Sequence, residues 1–111
     1  MIKSEVILTH FMNGNELTLC LHGEIDHHVA ASIREEADGL IYRYRPQNIV
    51  FDLSKIEFMD SSGLGLIMGR YALAKKLGGT VSVLNPSIRV EKIFSLAGIE
   101  RIIKIERSNL K

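Results

Sequence analysis

One cysteine, two prolines and no tryptophan stand among the 111 residues. The lone Cys20 cannot close an internal disulfide, so the fold must be held by its core. Set between Leu19 and Leu21, it reads as a buried strand thiol. No stretch approaches the roughly 18 uninterrupted apolar residues of a membrane span, and the opening Met1-Ile2-Lys3-Ser4-Glu5 carries no apolar run of the signal-peptide kind. Charge of neither sign dominates. The net value is +1, and the lysines and arginines are spread along the chain. That excludes a surface built to coat nucleic acid or an anionic membrane. Internal repeats, low-complexity tracts and linkers are also missing. A cytoplasmic, reducing environment is the expectation.

What is present is an ordinary globular balance, 46% apolar and 24% charged. The length fits one domain, residues 1–111. A domain of this size buries roughly 65% of the surface its unfolded chain exposes, enough for a core without staples.

Glu5 to Met12 is rich in β-branched and aromatic residues and reads as a strand. Asn13-Gly14-Asn15 is a turn, because Asn and Gly tolerate positive φ. Glu16 to Leu21 is the partner strand. Asp26 is an N-cap candidate. After it Ala30, Ile33, Ala37, Leu40, Ile41 and Tyr44 recur at helical spacing until Pro46. Asn48 to Leu53 is a near-continuous apolar run, the mark of a strand buried on both faces. A helix beginning near Asp60 places Leu64, Ile67, Met68, Tyr71, Ala74 and Leu77 on one stripe. Lys75 and Lys76 suit its negative end, and Gly78-Gly79 caps it. Thr80 to Leu84 is a strand. Asn85-Pro86-Ser87 opens a third helix with Val90, Ile93, Phe94 and Ala97 inward, and Gly98 ends it. Arg101 to Ile105 is a last strand. The order β-β-α-β-α-β-α-β defines an α/β domain, a mixed sheet of about five strands with helices packed on it through right-handed crossovers.

In such sheets functional loops lie beyond the carboxyl ends of the parallel strands. Gly23-Glu24-Ile25-Asp26-His27-His28 and Asp60-Ser61-Ser62-Gly63 fall there, each leading into a helix N-terminus that favours an anion. One reading makes a serine of the Ser61-Ser62 pair a plain N-cap, worth about 1 kcal/mol. Another rests on Gly63 and Gly65, each of which costs a helix about 1 kcal/mol against alanine. They imply that something comes close to the backbone: a partner, a kinase site, or the helix's own strand. A phosphoryl group on Ser61 would add about −1.5 to −2 charges, beside Asp60, Glu24 and Asp26. The fold would be kept and the surface changed. Metal and catalytic readings are weak. His27 and His28, adjacent on a helix, point about 100° apart and do not chelate together. The Gly-x-Ser-x-Gly elbow is absent, and Gly63-x-Gly65 lacks the Lys-Ser/Thr of a phosphate loop.

Phe58-Met59-Asp60-Ser61-Ser62-Gly63-Leu64-Gly65, with Gly23-Glu24-Ile25-Asp26-His27-His28 upstream and Gly69-Arg70-Tyr71 downstream, resembles the anti-sigma factor antagonists of the STAS domain family. Within that family it looks most like the sporulation type of endospore-forming bacteria. The resemblance covers almost the whole chain. It implies that Ser61 is the phosphoacceptor and that the kinase is an ATP-using anti-sigma factor. The unphosphorylated antagonist binds that factor and frees the sigma factor. A PPM-type serine phosphatase resets the phosphorylated form. The docking face implied is Glu24, Asp26, Asp60, Ser61, Ser62, Gly63 and Leu64. No cofactor, metal, catalysis, nucleic acid or membrane is expected of the chain itself. It is expected to be a monomer, because no helix shows a second apolar stripe. The family's usual C-terminal helix has only Glu106 to Lys111 left to form it.

Two other readings compete. An enzyme or nucleotide-binding protein would use the same loop and would turn over a substrate alone. A plain interaction module, or a stress-response antagonist of the stressosome type, would be told apart by its partner.

Overall fold

The computed structural model describes residues 7–108. Five strands form one sheet in the order β1-β2-β3-β4-β5. They are β1 (Leu8–Asn13), β2 (Glu16–Ile25), β3 (Asn48–Met59), β4 (Thr80–Leu84) and β5 (Lys104–Glu106). β1 runs antiparallel to β2 across the Asn13–Glu16 hairpin, and the remaining pairs are parallel. Helices α1 (His27–Tyr44), α2 (Ser61–Lys76) and α3 (Ile88–Ala97) join the parallel strands, with a 3-10 turn at Ile99–Arg101 before β5. Each crossover moves one strand along in the same direction. Right-handed connections therefore put all three helices on one face.

That face holds the core. Leu17, Leu19 and Leu21 of β2, Ile49, Phe51 and Leu53 of β3, and Val81 and Val83 of β4 alternate into it. They meet Ile33, Ala37 and Ile41 of α1, Ile67 and Ala74 of α2, and Val90 and Phe94 of α3. On the other face the row Phe11, Thr18, Val50, Ser82, Lys104 crosses all five strands. β3 is thus covered by helices on one face only. Its continuous apolar run reflects Val50, buried on the open face by neighbouring side chains. Cys20 is also on the open face and only half-buried. Burial and the Asp52 carboxylate push its thiol pKa up.

Several boundaries differ from those the sequence suggests. The expected start of β1 at Glu5 lies outside the described residues. β2 continues to Ile25 and β3 to Met59, because each supplies the other's pairing partner past register shifts at Cys20/His22 and Gly23/Glu24. Gly23, Glu24 and Ile25 are therefore strand and not loop. Beyond the Asp52–Leu84 pair, where β4 ends, the two strands run on together as a two-stranded arm whose Ile25, Leu53, Ile56 and Met59 remain in the core. α2 is rotated from the expected stripe. Leu66, Ile67, Arg70 and Ala74 are buried, while Leu64, Met68, Tyr71 and Leu77 are half-buried. The helix packs on α1 as well as on the sheet, so its buried side is wide. In α1 Tyr44 is exposed, and in α3 Ala97 is exposed. The 3-10 turn buries Ile99 in place of Ala97 and shortens β5. Glu106 belongs to β5, and residues 109–111, the end of the short segment left for the family's C-terminal helix, lie outside the described residues.

Candidate functional site

The arm ends at the register pair Ile25–Met59. Each strand is followed at once by an aspartate, and each aspartate opens a helix. Asp26 and Asp60 both have extended backbone, as N-caps require. The Val29 N–H donates to Asp26 Oδ1 at 3.0 Å, and the Ser62 N–H donates to Asp60 Oδ1 at 2.7 Å. The Asp60 N–H donates to the Ile25 carbonyl at 3.2 Å, tying the two caps together. Two helix N-termini thus lie side by side at the tip of the arm, and their positive ends add.

The cap of α2 is Asp60 and neither serine. Asp60 takes the capping role and leaves both hydroxyls outside it. Ser61, the first helical residue, is exposed, whereas Ser62 is half-buried. Gly63 is buried, and its reason is internal. A Cβ there would lie 2.7 Å from Met59 Sδ and closer still to Met59 Cγ. The helix lies on its own strand at this point. Gly65 has no such reason, since an added Cβ would meet nothing within 4 Å. Leu64 is half-buried and packs against the core.

Glu24 and Asp26 are exposed. With Glu57 of β3 they line a hollow beside the caps, floored by Ile7, Gly23 and Val29. Asp26's carboxyl is held below the usual aspartate range, chiefly by the Val29 N–H. Phe58, one position before Met59, is 42% exposed, and Ile88 at the start of α3 is 78% exposed at the same end of the sheet. Glu57 and Ile88 were not among the candidate site residues, and Phe58 entered only as part of the motif that carries the family resemblance. Strand periodicity does not reveal Glu57 or Phe58: in the second half of β3 the buried residues Leu53, Ile56 and Met59 recur every third position and do not alternate. Across the other side of the caps, α1 and α2 bury an ion pair. Arg70 Nε lies 2.8 Å from Asp38 Oδ1, off the hydrogen-bond line, and an Arg70 terminal nitrogen donates to the Leu66 carbonyl at 3.2 Å. Burial first, then the nearby Arg34 charge, lower the Arg70 pKa against the pull of Asp38. Among the described residues no three metal-type ligands gather, and no helix is long and apolar enough to cross a membrane.

The STAS domain model matches residues 9–109, and the chain belongs to the STAS domain family. Its place within the family is among the anti-sigma factor antagonists. The anti-sigma F factor antagonist of Paenibacillus polymyxa is 38% identical over 80% of this chain and 76% of that protein. The anti-sigma-B factor antagonist of Bacillus subtilis (strain 168) is 33% identical over 84% of each. The Bacillus antagonist SpoIIAA has been solved in two forms. The unphosphorylated form superposes with a TM-score of 0.81 at 29% identity, covering 92% of this chain and 88% of that one. The phosphorylated form gives 0.74 at 28%, covering 92% and 91%.

Proposed function

We propose that this anti-sigma factor antagonist is a switch thrown by phosphorylation of Ser61. The observation that carries the reading is the exposed Ser61 hydroxyl at the first position of α2, freed from capping by Asp60. A relative solved both with and without a phosphoryl group supports it. Unphosphorylated, the chain binds an anti-sigma factor that is an ATP-using serine kinase, and the sigma factor is released. The docking face comprises Glu24, Asp26, Asp60, Ser61, Ser62 and Leu64, with Gly63 setting how closely α2 lies on Met59. Phe58 supplies exposed apolar area beside them.

Phosphorylation adds about −1.5 to −2 charges. The helix N-terminus tolerates them, so the fold is retained. The partner has to approach a site already acidic from Glu24, Asp26, Glu57 and Asp60. Misplaced like charge costs an interface several kcal/mol, enough to dissolve a micromolar complex. A PPM-type phosphatase restores the binding form. The chain acts as a cytoplasmic monomer and not as an enzyme, and its process is sporulation. The similarity to an antagonist of the sigma-B type favours a second reading, control of a stress response by the same switch. The anti-sigma factor that binds decides between the two.

The test is intact mass after incubation with ATP and the anti-sigma kinase, with Ser61→Ala alongside. One phosphoryl group gained by the wild type and none by the variant is the expected result. No gain in either refutes the switch, and a gain in both moves it to another residue.

A further inference from the structure

Between the N-terminal halves of α1 and α2 runs an open groove of about 390 Å³. Its walls carry His27 and Arg34 from α1 and Ser62 and Arg70 from α2, and its floor includes Gly65 and Gly69. Neither glycine has positive φ, and a Cβ added at either meets nothing within 4 Å. Each sits within a helix where alanine would be more stable. Nothing inside the molecule requires them, in contrast to Gly63. What they create is a trough in which a second backbone can lie close. Ser62 to Gly69 spans about 10 Å at the helical rise, roughly two turns.

The charge in the trough is unbalanced. Arg70, only 7% exposed, is matched by Asp38. Arg34 is exposed and makes no ion pair among the described residues. The two guanidinium groups are near enough for Arg34 to disfavour the charge on Arg70. The trough starts at Ser62, next to the phosphoacceptor, and its sign is opposite to that of the Glu24–Asp26–Glu57 hollow across the caps.

We propose that the groove between α1 and α2 receives a helix of the anti-sigma factor that presents an aspartate or glutamate to Arg34. This rests on the reading of the chain as an antagonist that docks on its kinase. The two neighbouring patches of opposite sign then fix the orientation of the complex. A partner with basic residues over the hollow and an acidic helix over the trough fits one way round, with Ser61 turned to the kinase centre.

The experiment measures binding of the full chain to its anti-sigma kinase loaded with ADP. Gly65→Leu fills the trough and Arg34→Glu reverses its free charge. Each should weaken binding at least tenfold with the melting temperature held or raised. Should Gly65→Leu lower the melting temperature, Arg34→Glu decides. In the Arg34→Lys complex, a water-soluble carbodiimide should activate the facing carboxylate. The new amine then displaces the urea to form an amide, with net loss of one water, and peptide mapping should find an Asp or Glu of the kinase. Wild-type binding with both variants within twofold of it, or a complex that gives no cross-link at this position, overturns the groove assignment and leaves the antagonist reading standing. No binding by the wild type refutes the antagonist reading itself.

Discussion

Replacing Gly63 and Gly65 by alanine, one at a time, makes the same chemical change two residues apart and should move stability in opposite directions. At Gly65 the added methyl meets nothing within 4 Å. Only the backbone preference acts, about 0.8–1 kcal/mol in favour of alanine. That raises the melting temperature by roughly 3–5 °C for a domain of this size. At Gly63 the same gain is opposed by the contact with Met59. That side chain is 1% exposed and has no open space to swing into. Overpacking of this kind costs about 1–3 kcal/mol, so Gly63→Ala should range from neutral to a loss of about 2 kcal/mol. The gap between the two variants equals the overpacking cost. Urea denaturation followed by far-ultraviolet circular dichroism reads it directly. Shortening Met59 in the Gly63→Ala background should close part of the gap, since the two residues share one contact. Both variants melting above wild type would show that Met59 yields freely and that packing does not dictate Gly63. Both melting below would mean that Gly65 is covered, and the open trough would be wrong.

Ser61→Asp should bind the anti-sigma kinase roughly tenfold or more weakly than wild type in an equilibrium titration; equal affinity would remove charge repulsion as the switch. Asp38→Asn deprives the buried Arg70 of its counter-charge and should cost about 1–3 kcal/mol in urea melts, toward the lower end because Asp38 is partly solvated. A loss under about 0.5 kcal/mol would mean that water already screens the pair. Asp26 ionises more readily folded than unfolded, because its folded pKa is lowered. Its contribution is complete above the unfolded value of about 3.9 and is lost as pH falls through the lower folded one. The stability difference between wild type and Asp26→Asn should therefore shrink on acidification below about pH 4. A difference that stays constant in acid would show that the carboxylate charge is not what the cap uses.

The helix starts were legible because capping is local chemistry. Asp26 and Ser87 cap α1 and α3 from the positions their types suggest, and Gly98 takes the left-handed conformation that ends α3. The strand ends were not legible, because pairing is not local. Gly23 looks like a turn and Ser54-Lys55 looks like a strand's end, yet β2 and β3 carry each other through both. The buried face of α2 was ambiguous for a different reason. Leu64, Leu66, Ile67, Met68, Leu73 and Leu77 surround most of the helix, so periodicity alone does not choose a side. Arg70 interrupts any apolar stripe drawn through it, and its partner Asp38 is on another helix. The helix start near Ser61 followed from its Asp-Ser-Ser-Gly setting, but which of Asp60, Ser61 and Ser62 caps it did not. The trough did not, since its walls come from two helices far apart in the chain.

The arm formed by the ends of β2 and β3 has a consequence for self-association. From Leu53 to Met59, among the described residues, β3 has a strand neighbour on one side only. It is a sheet edge lying in the middle of the strand order, and an open edge is where a second copy can add a strand. Ser54, Lys55 and Glu57 put polar and charged groups along it, and the irregularities facing them in β2 disturb the flat ladder that such addition needs. The end of the molecule proposed to dock another protein is thereby made a poor template for its own kind.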